Sequence, residues 1–358
     1  MSKLLFELLP SDVLMDKSKN FLNKSIWYHA NEIKNSNNKL FSSEIKKIIE
    51  LSSKNEISDT PFSWYALNTV KYLRSKELND GDNHDLTRNI LIQSFNDTEN
   101  VLGIKYLTLS DINKKISEIK IPRNLVDVLQ VDYDSWKVFK SEELYIEWAD
   151  NFKKAVDLVD SVDNQSLTTI GMIIKYMLVL QSQGDSHGSM SPQNVTGTIF
   201  LPDTKDYTLI AECLVHEGLH NYLYRLEHCQ PIFNKNEGVV EKYYSPWKDF
   251  ARPLTMLIHG AFVFTGVIIF YHDLIKRNII DGYGDTFEDR IVYRLKQVYL
   301  AIDVLEKNNH LTDFGTSILL LMKDSLDKIK NDYEGFTLPN DDVENHFNKF
   351  SDKNFLFK

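Results

Sequence analysis

The run from Leu254 to Phe270 is almost wholly apolar, and His259 is the one ionisable side chain inside it. Apolar surface of that extent has to leave water, so the rest of the chain must provide either a membrane or a shell of other elements around it. At about 17 residues the run stands at the lower limit for a transmembrane helix. It is bounded by Arg252 and by His272-Asp273, and the sequence holds no second run like it. The expectation is the central helix of a helical core, with no membrane partner. His259 then lies inside that core, where an imidazole needs a carbonyl or a metal ion as its partner.

The second constraint is Glu212-Cys213-Leu214-Val215-His216-Glu217-Gly218-Leu219-His220-Asn221-Tyr222-Leu223, which contains the pattern H-E-x-x-H. Tyr207 to Glu227 predicts a helix, with no proline and one glycine, and Asp203, Thr204 and Asp206 ahead of it are candidate N-caps. One helical turn separates His216 from His220, so both imidazoles share a face and can converge on one metal ion. Glu217 is turned by about 100° and can sit beside that ion. Gly218 lowers helix propensity by roughly 1 kcal/mol relative to alanine, which predicts close packing there.

Composition narrows the partners. The chain has 358 residues, 42 % of them hydrophobic, and a formal net charge of −10. An acidic chain is a poor match for a phosphate backbone, so no nucleic-acid partner is expected; a cationic or neutral peptide suits it better. Two cysteines, Cys213 and Cys229, give neither a disulfide framework nor a C-x-x-C metal site and fit a reducing cytoplasm. The apolar start of the chain is broken by Glu7 and Pro10 before a signal-peptide core is complete, so a cytoplasmic location is expected.

In chain order, Phe21 to Ile33, Ser43 to Ser52 and Phe62 to Leu78 carry helical apolar spacing. Ile121-Pro122-Arg123 reads as a break, which divides the chain into a helical N-terminal region, residues 1–125, and a metal-site domain, residues 126–358. Helices are predicted over Leu125 to Leu129, Ser141 to Val162 and Thr168 to Leu180. A polar, glycine-rich loop with His187 follows, then Val195 to Leu201 with strand composition, whose edge can hold an extended peptide. Pro253 fits the first turn of the apolar helix, which is expected to run to about Arg277. Further helices are expected over Phe287 to Lys307 and Thr312 to Ile329, and a short one in the tail from Pro339. The fold class is mainly α, with a small strand element before the HExxH helix. His29 and His84, in the N-terminal half, read as surface or cap residues.

Two histidines rarely hold a catalytic metal alone. The candidates for a third ligand are His259, the downstream acids Glu237 and Glu241, and Glu212, one turn before His216, which can also accept from an imidazole N–H. Arg252 precedes His259 by seven residues. In a continuous helix the two share a face, and a guanidinium there can hold a carboxylate bidentately. The alternative for Arg252 is an ion pair with Asp249 or contact with solvent.

The run from Glu212 to His220, followed by Tyr244-Ser245-Pro246-Trp247, Arg252-Pro253-Leu254 and His259-Gly260-Ala261, resembles the HExxH-motif proteins of ribosomal-peptide (RiPP) biosynthesis clusters. The similarity covers roughly residues 180 to 275, about a quarter of the chain. Members of that family, some fused to radical-SAM domains, are iron(II)- and 2-oxoglutarate-dependent β-hydroxylases of precursor-peptide side chains. Their fold is not the double-stranded β-helix of other such oxygenases. The resemblance implies His216, His220 and His259 as iron ligands and Arg252 as the residue for the distal carboxylate of 2-oxoglutarate. With it, Trp247 and His187 are candidate substrate-binding residues. The chain lacks a radical-SAM cysteine triplet and would be a standalone form.

Three functions remain open at this point. In an oxygenase, Fe(II) binds 2-oxoglutarate and leaves room for O₂, and the precursor peptide is the substrate. In a zinc peptidase, the Zn ion lowers the pKa of its water and Glu217 is the catalytic base. A non-enzymatic binding module with a structural metal is the third. Arg252 separates the first two, because a peptidase has no use for a buried arginine beside its metal.

Overall fold

The apolar run is one helix, Leu254–Lys276, and 78 % of its most apolar window is enclosed by the rest of the chain. It is a core helix, buried along most of its length. The computed structural model describes residues 11–35, 42–57, 67, 142–174, 176–180, 188–234, 242–279, 284–308, 310–333 and 342–352. Among these, the elements are α1 (Ser11–Asn35), α2 (Ser42–Ser53), α3 (Glu142–Val162), α4 (Asn164–Ile173), β1 (Tyr176–Leu180), β2 (Thr198–Pro202), α5 (Tyr207–Cys229), α6 (Leu254–Lys276), α7 (Gly284–Lys307), α8 (Asp313–Lys330) and α9 (Asp342–Asp352). The molecule is mainly helical, and its described residues contain no barrel or double-stranded β-helix.

α6 packs against α5, α7 and α8, and touches α3. α5, which carries the HExxH pattern, lies between α6 and a second group formed by α3, α4, α1 and β2. Its apolar residues therefore have partners on both sides: Val215, Leu219, Leu223 and Leu226 are fully enclosed. The helix starts where its cap dictates. Asp206 accepts from the backbone N–H of Thr208 at 2.9 Å and of Leu209 at 3.2 Å, satisfying two donors that the first turn leaves open. α1 and α2 enclose a smaller cluster of Leu22, Ile26, Ala30 and Ile48, while Leu14 of α1 joins the main core. The expected helices over Phe62 to Leu78 and Leu125 to Leu129, and the boundary near residue 125, lie outside the described residues apart from Leu67.

Three local expectations are corrected. Thr168 to Leu180 is not one helix. α4 stops at Ile173, Ile174 turns extended, and β1 then pairs in parallel with β2, Tyr176 opposite Thr198 through Leu180 opposite Pro202. A short apolar run suits either conformation, and the available neighbour decided it. β2 also offers no open edge for a peptide. It is buried along its length, and on the side away from β1 Met190 and Phe200 exchange backbone hydrogen bonds of 3.1 and 2.9 Å. Pro253, finally, is the N-cap of α6 and not part of its first turn.

The close approach of α5 and α6 is recorded at Gly266, where a Cβ would collide with Leu219 Cδ1. Gly218, the sequence candidate for that role, is buried on α5. Gly266→Ala is therefore expected to destabilise the fold by about 1–3 kcal/mol, as overpacking does. Urea unfolding should show a lower midpoint at unchanged slope, and in a double-mutant cycle with Leu219→Ala the combined loss should be smaller than the sum of the two separate losses.

Candidate metal and carboxylate site

The sequence periodicity of α5 builds one wall of a cavity of about 1050 Å³. His216, His220, Tyr224 and Glu227 follow at steps of four, four and three residues, which keeps them on one helical face. All four line the cavity together with Glu217. α6 supplies His259, Gly260, Val263 and Phe264; α7 supplies Tyr293, Arg294 and Gln297; the loop before α6 supplies Trp247 and Arg252.

That loop is pinned at both ends and in the middle. Tyr243 and Arg252 exchange two backbone hydrogen bonds of 2.8 Å, and the Gln297 amide of α7 donates to the Pro246 carbonyl at 2.6 Å. Trp247 stacks on Phe264 with ring centroids 5.4 Å apart and covers Gly260, where a Cβ would stand 2.7 Å from the indole. Gly260 is thus required by the ring that lies on it. Arg252 is extended, as the residue before a proline tends to be, so it reaches the cavity from a backbone bridge and not along a continuous helix face.

The imidazoles from the two helices meet. His220 Nδ1 lies 3.3 Å from His259 Nδ1, with the rings nearly parallel at 17°. His216 stands across His220 at a centroid distance of 4.9 Å and an angle of 71°. On its far side His259 Nε2 is 3.1 Å from Glu227 Oε2. Glu227 was not anticipated from sequence; its step of seven residues from His220 continues the motif face and is the signal that points to it. Tyr224 lies against the His259 ring at 4.8 Å and donates to the Ser191 carbonyl at 3.1 Å.

Glu217 faces the segment before β2. Ser189 Oγ donates to Glu217 Oε1 at 2.6 Å, while Oε2 is buried without a hydrogen-bond partner. Asn221 holds this segment in place: its amide donates to Ser191 Oγ at 3.0 Å and its oxygen accepts from the Gly197 N–H. Neither serine was singled out from sequence, because the contact joins residues 28 and 26 positions away in the chain.

Burial dominates the electrostatics. It presses His216 down to about 3, with Arg294 adding to the effect, and His220 well below its ordinary value, with its histidine neighbours and Arg252 adding. Both rings are therefore neutral at physiological pH, the form that ligates metals. Burial pushes the Glu217 carboxyl up to about 7, against the hydrogen bonds from Ser189 and Ser191. Arg252 is lowered by burial.

The donor set fits a metal ion in its chemistry. Two ligand nitrogens about 2.0–2.1 Å from one tetrahedral ion are roughly 3.3–3.4 Å apart, the separation of His220 and His259. The Glu227 carboxylate on the other nitrogen of His259 is the partner that fixes a ligating imidazole's tautomer. Among the described residues no group of three acid, cysteine or histidine side chains is arranged to hold a metal ion. His220 and His259 are the close pair, and His216 is the adjacent ring.

The sequence candidates divide accordingly. His216, Glu217, His220, Trp247, Arg252 and His259 line the one cavity. Glu212 does not. It accepts from the Tyr271 hydroxyl and lies 3.5 Å from Arg290, in a network between α5, α6 and α7. Asp249, the acid considered for Arg252, instead lies 3.2 Å from His346 of α9, and the Arg252 guanidinium rests 5.5 Å over the Phe250 ring. His187, Glu237 and Glu241 lie outside the described residues. No model of a known protein family matches the chain, and no curated protein does.

The Glu217 shift makes a stability prediction for the metal-free protein. Its folded pKa lies above the ordinary 4.5, so the folded state binds the proton more tightly, and stability falls as pH rises from about 4.5 to about 7. Glu217→Gln removes that term. It should stabilise the metal-free protein by about 2–3 kcal/mol more at pH 8 than at pH 5, read from urea unfolding at the two pH values.

Proposed function

We propose that the protein is an iron(II)- and 2-oxoglutarate-dependent oxygenase that hydroxylates a side-chain β-carbon of a ribosomally made precursor peptide, acting in the cytoplasm as a relative of the HExxH β-hydroxylases. The observation that carries this proposal is Arg252. Its guanidinium lines the histidine cavity, its Nε is buried without a partner, and no ion pair of a described residue involves it. A carboxylate ligand would complete it, and a diacid can span from there toward the histidines.

In this assignment His216, His220 and His259 hold the metal, and Glu227 orients His259. Iron with 2-oxoglutarate and O₂ supplies the oxidising power for C–H hydroxylation, releasing succinate and CO₂. Arg252 holds the distal carboxylate of the co-substrate. Trp247, fixed on Phe264, walls the cavity and leaves its indole Nε1–H, buried and without a partner, as a donor for a peptide or co-substrate oxygen. The strand Thr198–Pro202 ahead of the HExxH helix anchors the serine segment that meets Glu217. The resemblance in the residues from Glu212 to Ala261 supports the same reading.

Zinc peptidase is the second reading, and one observation favours it: Glu217 lines the cavity with a buried Oε2 that has no partner and a carboxyl that burial pushes up to about 7, as suits a general base for amide hydrolysis. The two chemistries part in one experiment. The protein, reconstituted anaerobically with Fe(II), is given 2-oxoglutarate, air and the precursor peptide encoded nearby. Succinate and a peptide heavier by one oxygen are expected; cleaved peptide without succinate would overturn the oxygenase. Arg252→Ala should raise the 2-oxoglutarate KM by about 10²-fold, the scale of one lost charge-assisted contact. Glu217→Gln should leave hydroxylation within about tenfold, whereas a peptidase would lose about 10²–10⁴-fold.

A further inference from the structure

The cavity holds a second arginine. Arg294 enters from α7, whose Gln297 also holds the loop that carries Arg252, and is partly buried. Its guanidinium lies 4.2 Å over the Phe264 ring, and its Nη1 donates to Gln297 Oε1 at 2.8 Å. These contacts fix the plane of the fork and leave N–H groups over. Among the described residues no carboxylate pairs with it. Glu212 is the acid whose field reaches it, but that carboxylate is occupied by Tyr271 and Arg290.

Among the described residues, the acids around the cavity do not balance the two arginines. Glu227 is paired with His259, Asp249 with His346, and Glu217 is hydrogen-bonded to Ser189. Lys248 adds a further cation to the lining. The two arginines rest on different rings, Arg294 over Phe264 and Arg252 over Phe250. One dicarboxylate co-substrate has one distal carboxylate, and Arg252 suffices for it. A neutral peptide side chain would leave the half-buried Arg294 without a counter-charge, at the cost that drawing a cation out of water carries.

We propose that Arg294 is a second carboxylate-binding residue and that the peptide side chain it draws to the histidine cluster is acidic, an aspartate or a glutamate. The assignment rests on the oxygenase reading only in giving Arg252 to the co-substrate. A site built to pair with a carboxylate rejects the isosteric amide, because the amide leaves the guanidinium unpaired.

The test uses the full-length protein as purified, with N-acetyl-aspartate and N-acetyl-glutamate methylamides and their asparagine and glutamine counterparts, in ligand-observed NMR titrations. At least one acidic probe should bind tenfold or more tighter than its amide. Arg294→Gln should abolish that preference and leave 2-oxoglutarate binding within about twofold. Arg294→Lys, which keeps the charge without the fork, should retain part of the preference and controls for folding. Arg252→Gln should do the reverse, losing 2-oxoglutarate and keeping the acidic preference. No acid-over-amide preference in the unaltered protein, or a preference that survives Arg294→Gln, overturns the proposal. So does loss of 2-oxoglutarate in place of the acidic probe in Arg294→Gln, which would make Arg294 the co-substrate's residue. If 2-oxoglutarate binding ignores both substitutions while the acidic preference follows Arg294, the oxygenase reading fails and the assignment of Arg294 stands.

Discussion

The contact between α5 and α6 is the constraint on which the site depends. His220 and His259 stand 3.3 Å apart, yet they are 39 residues apart in sequence and belong to different helices. Imidazoles can come that close only if the helix axes do, and Gly266 against Leu219 permits the approach. α6 is held there because its apolar surface has no other place to go, enclosed by α5, α7 and α8. Core burial and site assembly are thus one event. The same helix that fills the core brings His259 to the motif pair.

Charge is distributed on two scales. The chain as a whole is acidic, at −10, and that figure suggests a cationic or neutral partner. The cavity is locally the opposite. Its acids are paired or hydrogen-bonded, while Arg252 and Arg294 have no carboxylate among the described residues. Net charge governs solubility and long-range encounter, but a buried cation answers to what lies within a few ångströms, where the dielectric is low. The ligand preference proposed for Arg294 rests on the second scale.

Burial also sets the chemistry of the wall. It keeps His216 and His220 neutral and raises Glu217. The hydrogen bonds then distribute roles: Glu227 engages the far nitrogen of His259, Ser189 takes one oxygen of Glu217, and Asn221 holds the serine segment. These partners come from helix, loop and strand-flanking residues alike, so the site is a product of the whole fold around α5.

What the sequence by itself determined is what periodicity and composition can carry. The apolar run at Leu254 pointed to a core helix, Asp203, Thr204 and Asp206 stood as candidate caps, and the spacing of His216 and His220 put them on one face. Tyr224 and Glu227 extend that face and were legible in the same spacing. Tertiary structure alone decided the rest. It made β1 out of a run that also suits a helix, drew Glu212 into a network with Tyr271 and Arg290, and sent Asp249 to His346. It also brought Arg294 from α7 to the ring of Phe264. The physical reason is range. Helical spacing and capping act within a few residues, whereas the partner of a buried charge is chosen by which distant segments fold against it.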